Sequence, residues 1–319
     1  MNKDKILIIG ANGQIGTALL PKLQKIYGEG QVIASDLQPA IHPTAVFEIL
    51  DAKQSDTLQK VIKKHGITQI YHLAAVLSAK GESNPLSSWN INMQTLLNVL
   101  EAAKELHLKK VFVPSSIAVF GKSAPRRFTP QNTYLDPATV YGMSKVAAEN
   151  WCQYYHSRYQ VDVRSLRYPG VISYQSIPGG GTTDYAVEMY HKAVAGQNYD
   201  CYLQEDARLP MMYIEDALRA TTELMEAPAG QLSVRTSYNL TGISFTPAEL
   251  FKNIQEQVPA FDCTFTPDFR QSIAESWPES IDDTLARKDW NWKPDFDLAQ
   301  ITTEMIAHLT RQYISHANH

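Results

Sequence analysis

Ile6-Leu7-Ile8-Ile9-Gly10-Ala11-Asn12-Gly13-Gln14-Ile15-Gly16 is the stretch that decides the fold. Four apolar residues in a row, without polar alternation, describe a strand covered on both faces, as in a parallel sheet. The three glycines that follow have separable jobs. Gly10 permits a tight turn, Gly13 lets the backbone approach a pyrophosphate, and Gly16 lets the next helix pack close to the strand. That helix, expected over 14–27, offers free N–H groups and a partial positive charge to phosphates. Asn12, Gln14 and Ile15 share the loop and count with the glycines as cofactor contacts. The spacing is Gly-x-x-Gly-x-x-Gly, and its context gives it meaning. A second strand, Val32-Ile33-Ala34-Ser35, ends at Asp36, where a carboxylate accepts both ribose hydroxyls of an adenosine. It also repels the additional phosphate of NADP, and the next residues, Leu37-Gln38-Pro39, bring no basic group. The expected cofactor is NAD.

Working outward, strands are expected at 46–50, 69–73, 110–114 and 163–166, with helices near 54–65, 87–107 and 138–158. Leu96, Leu97, Leu100, Ala103 and Leu106 recur at helical spacing, which makes that helix amphipathic. Such alternation describes an α/β fold: a doubly wound parallel sheet with right-handed crossovers. Beyond about residue 170 the pattern loosens. Pro178-Gly179-Gly180-Gly181 marks a loop, and helices are expected near 182–195, 214–226, 246–258 and 297–312. Thr246-Pro247-Ala248-Glu249 reads as a capping box. The expected division is a cofactor domain over 1–170 and a mainly substrate-binding α/β region over 171–319. That region packs on the sheet edge, with some chain crossing back and a cleft between the parts.

The 319 residues carry 29 Lys and Arg against 33 Asp and Glu, a net charge of −4. No basic excess favours nucleic acid. The hydrophobic fraction of 44% suits a globule with a sizeable core. The longest apolar run, Leu73 to Leu77, is strand-sized, well short of the roughly 18 residues a membrane-spanning helix needs. The opening Met1-Asn2-Lys3-Asp4-Lys5 leads into an apolar run broken by Gly10 and Gly13, a poor match to a cleavable signal. Cys152, Cys201 and Cys263 are scattered and odd in number, so a disulfide framework is not expected and a cytoplasmic location is. His42, His65 and His72 show no metal-ligand spacing, and no metal is expected. His72, in an apolar strand, reads as a core residue.

Tyr141-Gly142-Met143-Ser144-Lys145 carries the chemistry. Tyr and Lys four apart share a helix face. A phenol titrates near 10 when free, and a nearby ammonium together with a cationic nicotinamide favours its deprotonated form. Tyr141 then takes the proton of a substrate hydroxyl while its carbon gives up hydride, and Lys145 also holds the nicotinamide ribose. Pro114-Ser115-Ser116 ends the fifth strand, at the sheet edge where open α/β folds bind ligands. Ser116 is placed to hydrogen-bond the same hydroxyl. One of the two serines is expected only to cap a turn.

Gly10, Gly13, Gly16, Asp36, Leu73-Ala74-Ala75, Asn92, Ser116, Tyr141 and Lys145 together resemble the extended short-chain dehydrogenase/reductases, Rossmann-fold enzymes that include the nucleotide-sugar epimerases. The resemblance implies that Asp51-Ala52 lies near the adenine and that Leu73, Ala74 and Ala75 line the cofactor. It implies that Asn92 props the site and that Tyr168-Pro169-Gly170 passes beside the nicotinamide, with Ser115 and Leu37 also at the cofactor. Epimerases of the family usually carry Phe-Asn where Pro169-Gly170 stands, and that departure counts against a nucleotide sugar. A narrower resemblance covers Tyr168–Ser173, residues 178–186, Leu209–Tyr213, Arg235–Leu240, Ser276-Trp277-Pro278-Glu279 and Ala286–Trp290. These stretches are similar to the short-chain type of L-threonine 3-dehydrogenase, with Asn12 standing where a cysteine is frequent. The resemblance implies oxidation of the β-hydroxyl of L-threonine and a homodimer built on the helices that carry Tyr141 and Asn92.

A small zwitterion suits the remaining residues. The glycine loop, Gly180 included, can present N–H groups to a carboxylate. Thr182 or Thr183 can add a hydroxyl, Thr182 being preferred, or Thr182 can cap the next helix. Ser78 follows the cofactor-lining alanines and can face the same ligand. Asp184 can meet an ammonium, although a first-turn carboxylate stabilising its own helix is the better reading. Within enzymes, the rival is an NAD-dependent nucleotide-sugar epimerase or dehydratase. From another class, it is a non-catalytic NAD-binding regulator, which would not require Ser116, Tyr141 and Lys145 together.

Overall fold

The computed structural model describes residues 4–41, 46–175 and 179–317; His42 and Pro178 lie outside them. β1 (Ile6–Ile9), α1 (Gln14–Tyr27), β2 (Val32–Asp36), β3 (Phe47–Ile49), α2 (Ser55–His65) and β4 (Gln69–His72) open the chain. They are followed by α3 (Ser78–Glu82), α4 (Pro85–Glu105), β5 (Lys110–Phe112), β6 (Ser115–Ser116), α5 (Val140–Tyr159) and β7 (Val163–Arg164). The main sheet is six-stranded, in the order β3-β2-β1-β4-β5-β7, and every pair in it is parallel. This is the doubly wound Rossmann arrangement, whose order reverses between β1 and β4.

The continuous apolar strands have a direct cause. Ile6 and Ile8 of β1 belong to one buried cluster and Leu7 and Ile9 to another. Val32 and Ala34 of β2 likewise oppose Ile33, and Phe112 of β5 opposes Val111. Alternate side chains point to opposite faces, so a sheet with helices on both sides needs every position apolar.

The sequence reading joined 163–166 into one strand. The chain instead divides at Ser165. β7 pairs with β5, whereas β8 (Leu166–Tyr168) pairs with β6 and with β12 (Tyr238–Asn239). The expected strand over 110–114 also stops at Phe112, and Ser115–Ser116 joins the smaller sheet. These switches carry Ser116 and Tyr168 off the main sheet to its C-terminal edge.

β9 (Gly170–Ile172), α6 (Tyr185–Val194), β10 (Tyr199–Cys201), β11 (Leu209–Tyr213), α7 (Ile214–Glu226), β13 (Ile243–Phe245), α8 (Pro247–Gln255) and β14 (Cys263–Phe265) continue the chain. α9 (Phe269–Glu275), α10 (Thr284–Trp290) and α11 (Leu298–Ala317) complete it. The capping box at α8 is present: Thr246 N donates to Glu249 Oε2 (2.9 Å) and Glu249 N to Thr246 Oγ1 (3.2 Å). The short helices α3, α9 and α10 have no counterpart in the sequence reading, because five to seven residues hold too few turns to show a period. One apolar cluster runs from Ile6 to Leu309, so the C-terminal elements share a core with one face of the main sheet. Among the described residues no helix is long and apolar enough to cross a membrane.

Candidate active site

At Gly10, φ is +91°, and a Cβ there would lie 2.7 Å from the backbone N of Ala74. A Cβ on Gly16 would meet the carbonyl of Gly10 at 2.3 Å. Only glycine fits either position. Gly13 differs: its Cβ would touch only Gly10 O, at 3.4 Å, which leaves the face above the loop clear. Asp36 ends β2 with Oδ2 accepting from Asn12 N (3.0 Å) and Oδ1 from Leu37 N (2.7 Å). Each carboxylate oxygen keeps a further lone pair. The Asn12 side chain is turned away, donating to Gln38 O and Pro39 O and accepting from Ile41 N. Asn12 thus pins the following loop, and only its backbone faces Asp36.

One cavity is lined by Gly10, Gly13, Asp36, Leu37, Asp51, Ala52 and Leu73 through Ala75. A second holds Gln14, Ile15, Ser116, Tyr141, Lys145, Tyr168 and Pro169. Leu73 and Ala75 line both. The residues therefore fit a dinucleotide laid across the end of β4: an acceptor pair for a ribose, a bare glycine at the helix start, and a cleft leading to Tyr141.

Thr139 caps α5 by accepting from Gly142 N at 3.0 Å, which sets Tyr141 in the first turn. Lys145 follows one turn later. Its Nζ donates to Pro114 O at 2.6 Å and lies 5.4 Å from the Tyr141 ring centre. Burial pushes the Tyr141 phenol up to about 12, against the pull of a hydrogen bond with Ser116. Burial also brings Lys145 down to about 8, with Cys152 and Glu149 acting the other way. Burial outweighs the Ser116 hydrogen bond, so the phenol is neutral at pH 7, and the amine is still mostly charged.

The two serines separate clearly. Ser115 is buried, and its hydroxyl donates to Glu149 Oε1 at 2.6 Å. Only its neighbourhood, not its hydroxyl, is available to a cofactor. Ser115 and Ser116 both line the cavity; the serine that caps a turn is Ser116, whose Oγ accepts from Ala118 N at 3.2 Å and keeps its own proton to donate. Asn92 sits a layer behind. Its Oδ1 accepts from Val76 N (2.8 Å), and its Nδ2 donates to Val76 O and to Ser144 Oγ (both 3.2 Å). It braces the turn after Ala75 against α5, lining neither main cavity.

In the substrate half, Ser78 and Thr182 are buried, line the cavity, and have hydroxyls 3.3 Å apart. Two expectations are corrected. Thr182 does not cap α6; its hydroxyl faces Ser78. The amides of Gly180 and Gly181 are not free for a carboxylate, because both donate to Asp184 Oδ2 (2.9 and 2.8 Å). Asp184 thereby holds the glycine loop, and Gly180 itself does not line the cavity. Three lining residues had no role in the sequence reading: Leu77, Ile117 and Trp277. Of these only Trp277 left a trace, inside the Ser276-Trp277-Pro278 stretch. Gly170 allows close packing, since a Cβ there would lie 2.5 Å from Met211 Sδ and 2.8 Å from Thr183 Cβ.

Comparison with known proteins gives a consistent result. The model of the NAD dependent epimerase/dehydratase family matches residues 6–240. The chain is 46% identical over 325 residues to a Bos taurus protein named L-threonine 3-dehydrogenase, mitochondrial, covering 99% of this chain and 86% of that one. Among solved structures it resembles the holo form of a GalE-like L-threonine dehydrogenase from Cupriavidus necator, at 55% identity and TM-score 0.94, covering 96% of this chain and 99% of that one. A monomeric L-threonine 3-dehydrogenase from a metagenome, in its apo form, is similar at 48% identity and TM-score 0.94, with coverage of 96% and 99%.

Proposed function

The chain belongs to the NAD dependent epimerase/dehydratase family, and from that premise we propose that it is an oxidoreductase that oxidises the β-hydroxyl of L-threonine to 2-amino-3-oxobutanoate. The observation that carries this reading is the meeting of Ser116, Tyr141 and Lys145 in one cavity with the hydroxyl pair Ser78 and Thr182. Relatives named for that activity, matched over 96–99% of this chain, support it.

Bound NAD supplies the hydride acceptor. Gly10, Gly13 and the start of α1 hold its pyrophosphate, with Asp36 on the adenosine ribose. Ser116 and Tyr141 grip the substrate hydroxyl, and Tyr141 Oη takes its proton as the Cβ–H bond breaks. Because burial holds the phenol high, this transfer depends on positive charge beside it. Lys145, fixed by Pro114 O, provides that charge from the protein. Ser78 and Thr182 hold the far end of the amino acid.

We further propose a homodimer through α4 and α5. Trp151, Tyr154 and Tyr159 stay 37–48% exposed along α5, and Trp89 near the start of α4 is 37% exposed. Aromatic rings left in a row on a helix face are a typical core of an interface. A concentration-independent monomer mass in light scattering, as for the monomeric metagenome relative, would overturn this. The three cysteines are buried and unpaired, in keeping with a cytoplasmic enzyme; cell fractionation tests the location.

The deciding experiment measures NADH formation with NAD and L-threonine, alongside L-serine, UDP-glucose and NADP. Turnover with L-threonine and NAD is expected. Tyr141→Phe is expected to remove at least about a hundredfold of it, the scale of a lost general base, while NAD affinity changes little. Silence with L-threonine, together with conversion of UDP-glucose to a new sugar nucleotide without net NADH, followed by product analysis, would make the chain an epimerase or dehydratase instead.

A further inference from the structure

The stretch Ser276-Trp277-Pro278 has no part in the chemistry above, yet Trp277 lines the catalytic cavity beside Gly181 and Thr182. It is 4% exposed, and its indole Nε1 is buried with no hydrogen-bond partner. Buried Trp N–H groups usually find an acceptor, because an unmet donor is destabilising. The ring is also firmly set. On one side Trp277 N donates to Ala274 O at 3.1 Å, closing α9. On the other, Glu279 N donates to Arg126 O (2.7 Å) and Thr129 N to Ser280 O (3.0 Å), tying the segment to a separate loop. A fixed and unmet donor beside a reaction cavity is suited to a group that arrives with the ligand.

We infer that Trp277 is a substrate-specificity residue whose indole N–H donates to the carboxylate of the 2-amino-3-hydroxy acid, an inference that rests on the threonine reading. The chemistry selects that group. The hydroxyl belongs to Ser116 and Tyr141. The ammonium has only donors and cannot meet an N–H. The carboxylate is acceptor-only, and the cavity offers it few partners. Among the described residues no Arg or His lines it, Lys145 is held by Pro114 O, and the Gly180 and Gly181 amides are taken by Asp184. What remains is a set of neutral donors: the hydroxyls of Ser78, Thr182 and Thr183, the second Gln14 amide hydrogen and the indole of Trp277, while Asp184, the one acid lining the cavity among the described residues, is itself engaged by the glycine amides. Recognition by neutral, rigid donors favours a small carboxylate of fixed position over a phosphate, which would draw basic side chains.

The test is Trp277→Phe, which keeps an aromatic wall and deletes the donor. Rates with L-threonine are compared with those for (R)-1-aminopropan-2-ol, the same skeleton without its carboxylate. Where turnover of the amino alcohol is too slow, its KI against L-threonine is read. We expect KM for L-threonine to rise roughly 10- to 100-fold, the scale of a lost hydrogen bond to a charged group, with kcat far less affected. The constant for the amino alcohol should move less than about threefold on the same scale, and NAD affinity should be unchanged. Equal losses for both ligands, or no loss with L-threonine, overturn the inference. If the variant does not fold, the Trp277 indole 15N–1H resonance of the NADH-bound native enzyme decides. A downfield shift with L-threonine and not with the amino alcohol supports the contact; identical shifts exclude it. Absence of L-threonine turnover by the native protein would overturn the threonine reading itself, and this contact with it.

Discussion

Glu149 and Arg167 form a two-point ion pair directly beneath the serine strand. Arg167 Nε donates to Glu149 Oε1 at 2.9 Å and Nη2 to Oε2 at 2.7 Å, with both residues buried. Ser115 donates to the same Glu149 Oε1, and Arg167 Nη1 reaches Gln131 O and Asn239 Oδ1 at 3.0 Å each. Glu149 follows Lys145 by one turn of α5, so one carboxylate ties the catalytic helix to β6 and β8. Breaking a buried pair by removing one partner leaves an uncompensated charge. Arg167→Met is therefore expected to cost about 3–5 kcal/mol of stability, measured by urea unfolding. Arg167→Lys should not restore it, because an ammonium cannot match the forked geometry.

Ser115 and Ser116 should give different phenotypes despite being adjacent. Ser116→Ala is expected to lower kcat roughly a hundredfold, in the range of a lost hydrogen-bonding group at the reacting atoms, and to cost about 1 kcal/mol through the lost cap on Ala118 N. Ser115→Ala should keep kcat within a few-fold and lose about 1–3 kcal/mol, the cost of under-satisfying a buried carboxylate. Paired kinetics and denaturation curves separate the two; a loss of kcat in Ser115→Ala alone would reverse the assignment.

Gly170 is a test of cavity shape. Its missing Cβ is filled by Met211 and Thr183, so Gly170→Ala is expected to cost about 1–3 kcal/mol through overpacking. Because Thr183 also lines the catalytic cavity, kcat/KM for L-threonine should fall with it. An asparagine there should be worse, and should not bring activity on a nucleotide sugar.

His72 sets an acid limit on stability. It is buried at the end of β4, with Nε2 3.3 Å from Thr95 Oγ1 and Nδ1 without a partner. Burial, helped by Lys145, brings its titration down to about 3 from 6.5. The unfolded chain therefore binds a proton that the folded protein refuses, over the window from 6.5 down to about 3. Stability is full above the unfolded value and declines as pH falls through that window. The expected loss is about 2–3 kcal/mol by roughly pH 4.5, since each unit is worth about 1.4 kcal/mol. Melting temperature against pH should fall less steeply in His72→Asn; parallel slopes would rule out His72 as the source.

The main sheet was legible in the sequence because its signal is local. Ile6–Ile9 has to be apolar at every position once both faces are covered, and Gly16 follows from contacts with Gly10 and Ala11 in the same turn, although Gly10 is also demanded by the backbone of Ala74. The Tyr141–Lys145 pair was legible for the same reason, since one helical turn fixes it. The details of the substrate cleft were not local. Both serines line the cavity, and which hydroxyl stays available there depends on Glu149, 34 positions from Ser115. The strand over 163–166 divides because β8 finds partners in β6 and β12, and no periodicity within those residues records that.

By itself, then, the sequence determined the parallel α/β fold, the dinucleotide loop, the ribose carboxylate and the Tyr–Lys pair, all encoded by neighbours along one strand, turn or helix. Only the tertiary structure decided that Ser116 is the less buried serine, that Asp184 occupies the glycine amides, and that Trp277 lines the cavity. Each of those depends on a hydrogen bond formed or left unmade between segments that meet only when the chain is packed, and a one-dimensional pattern carries no record of such a meeting.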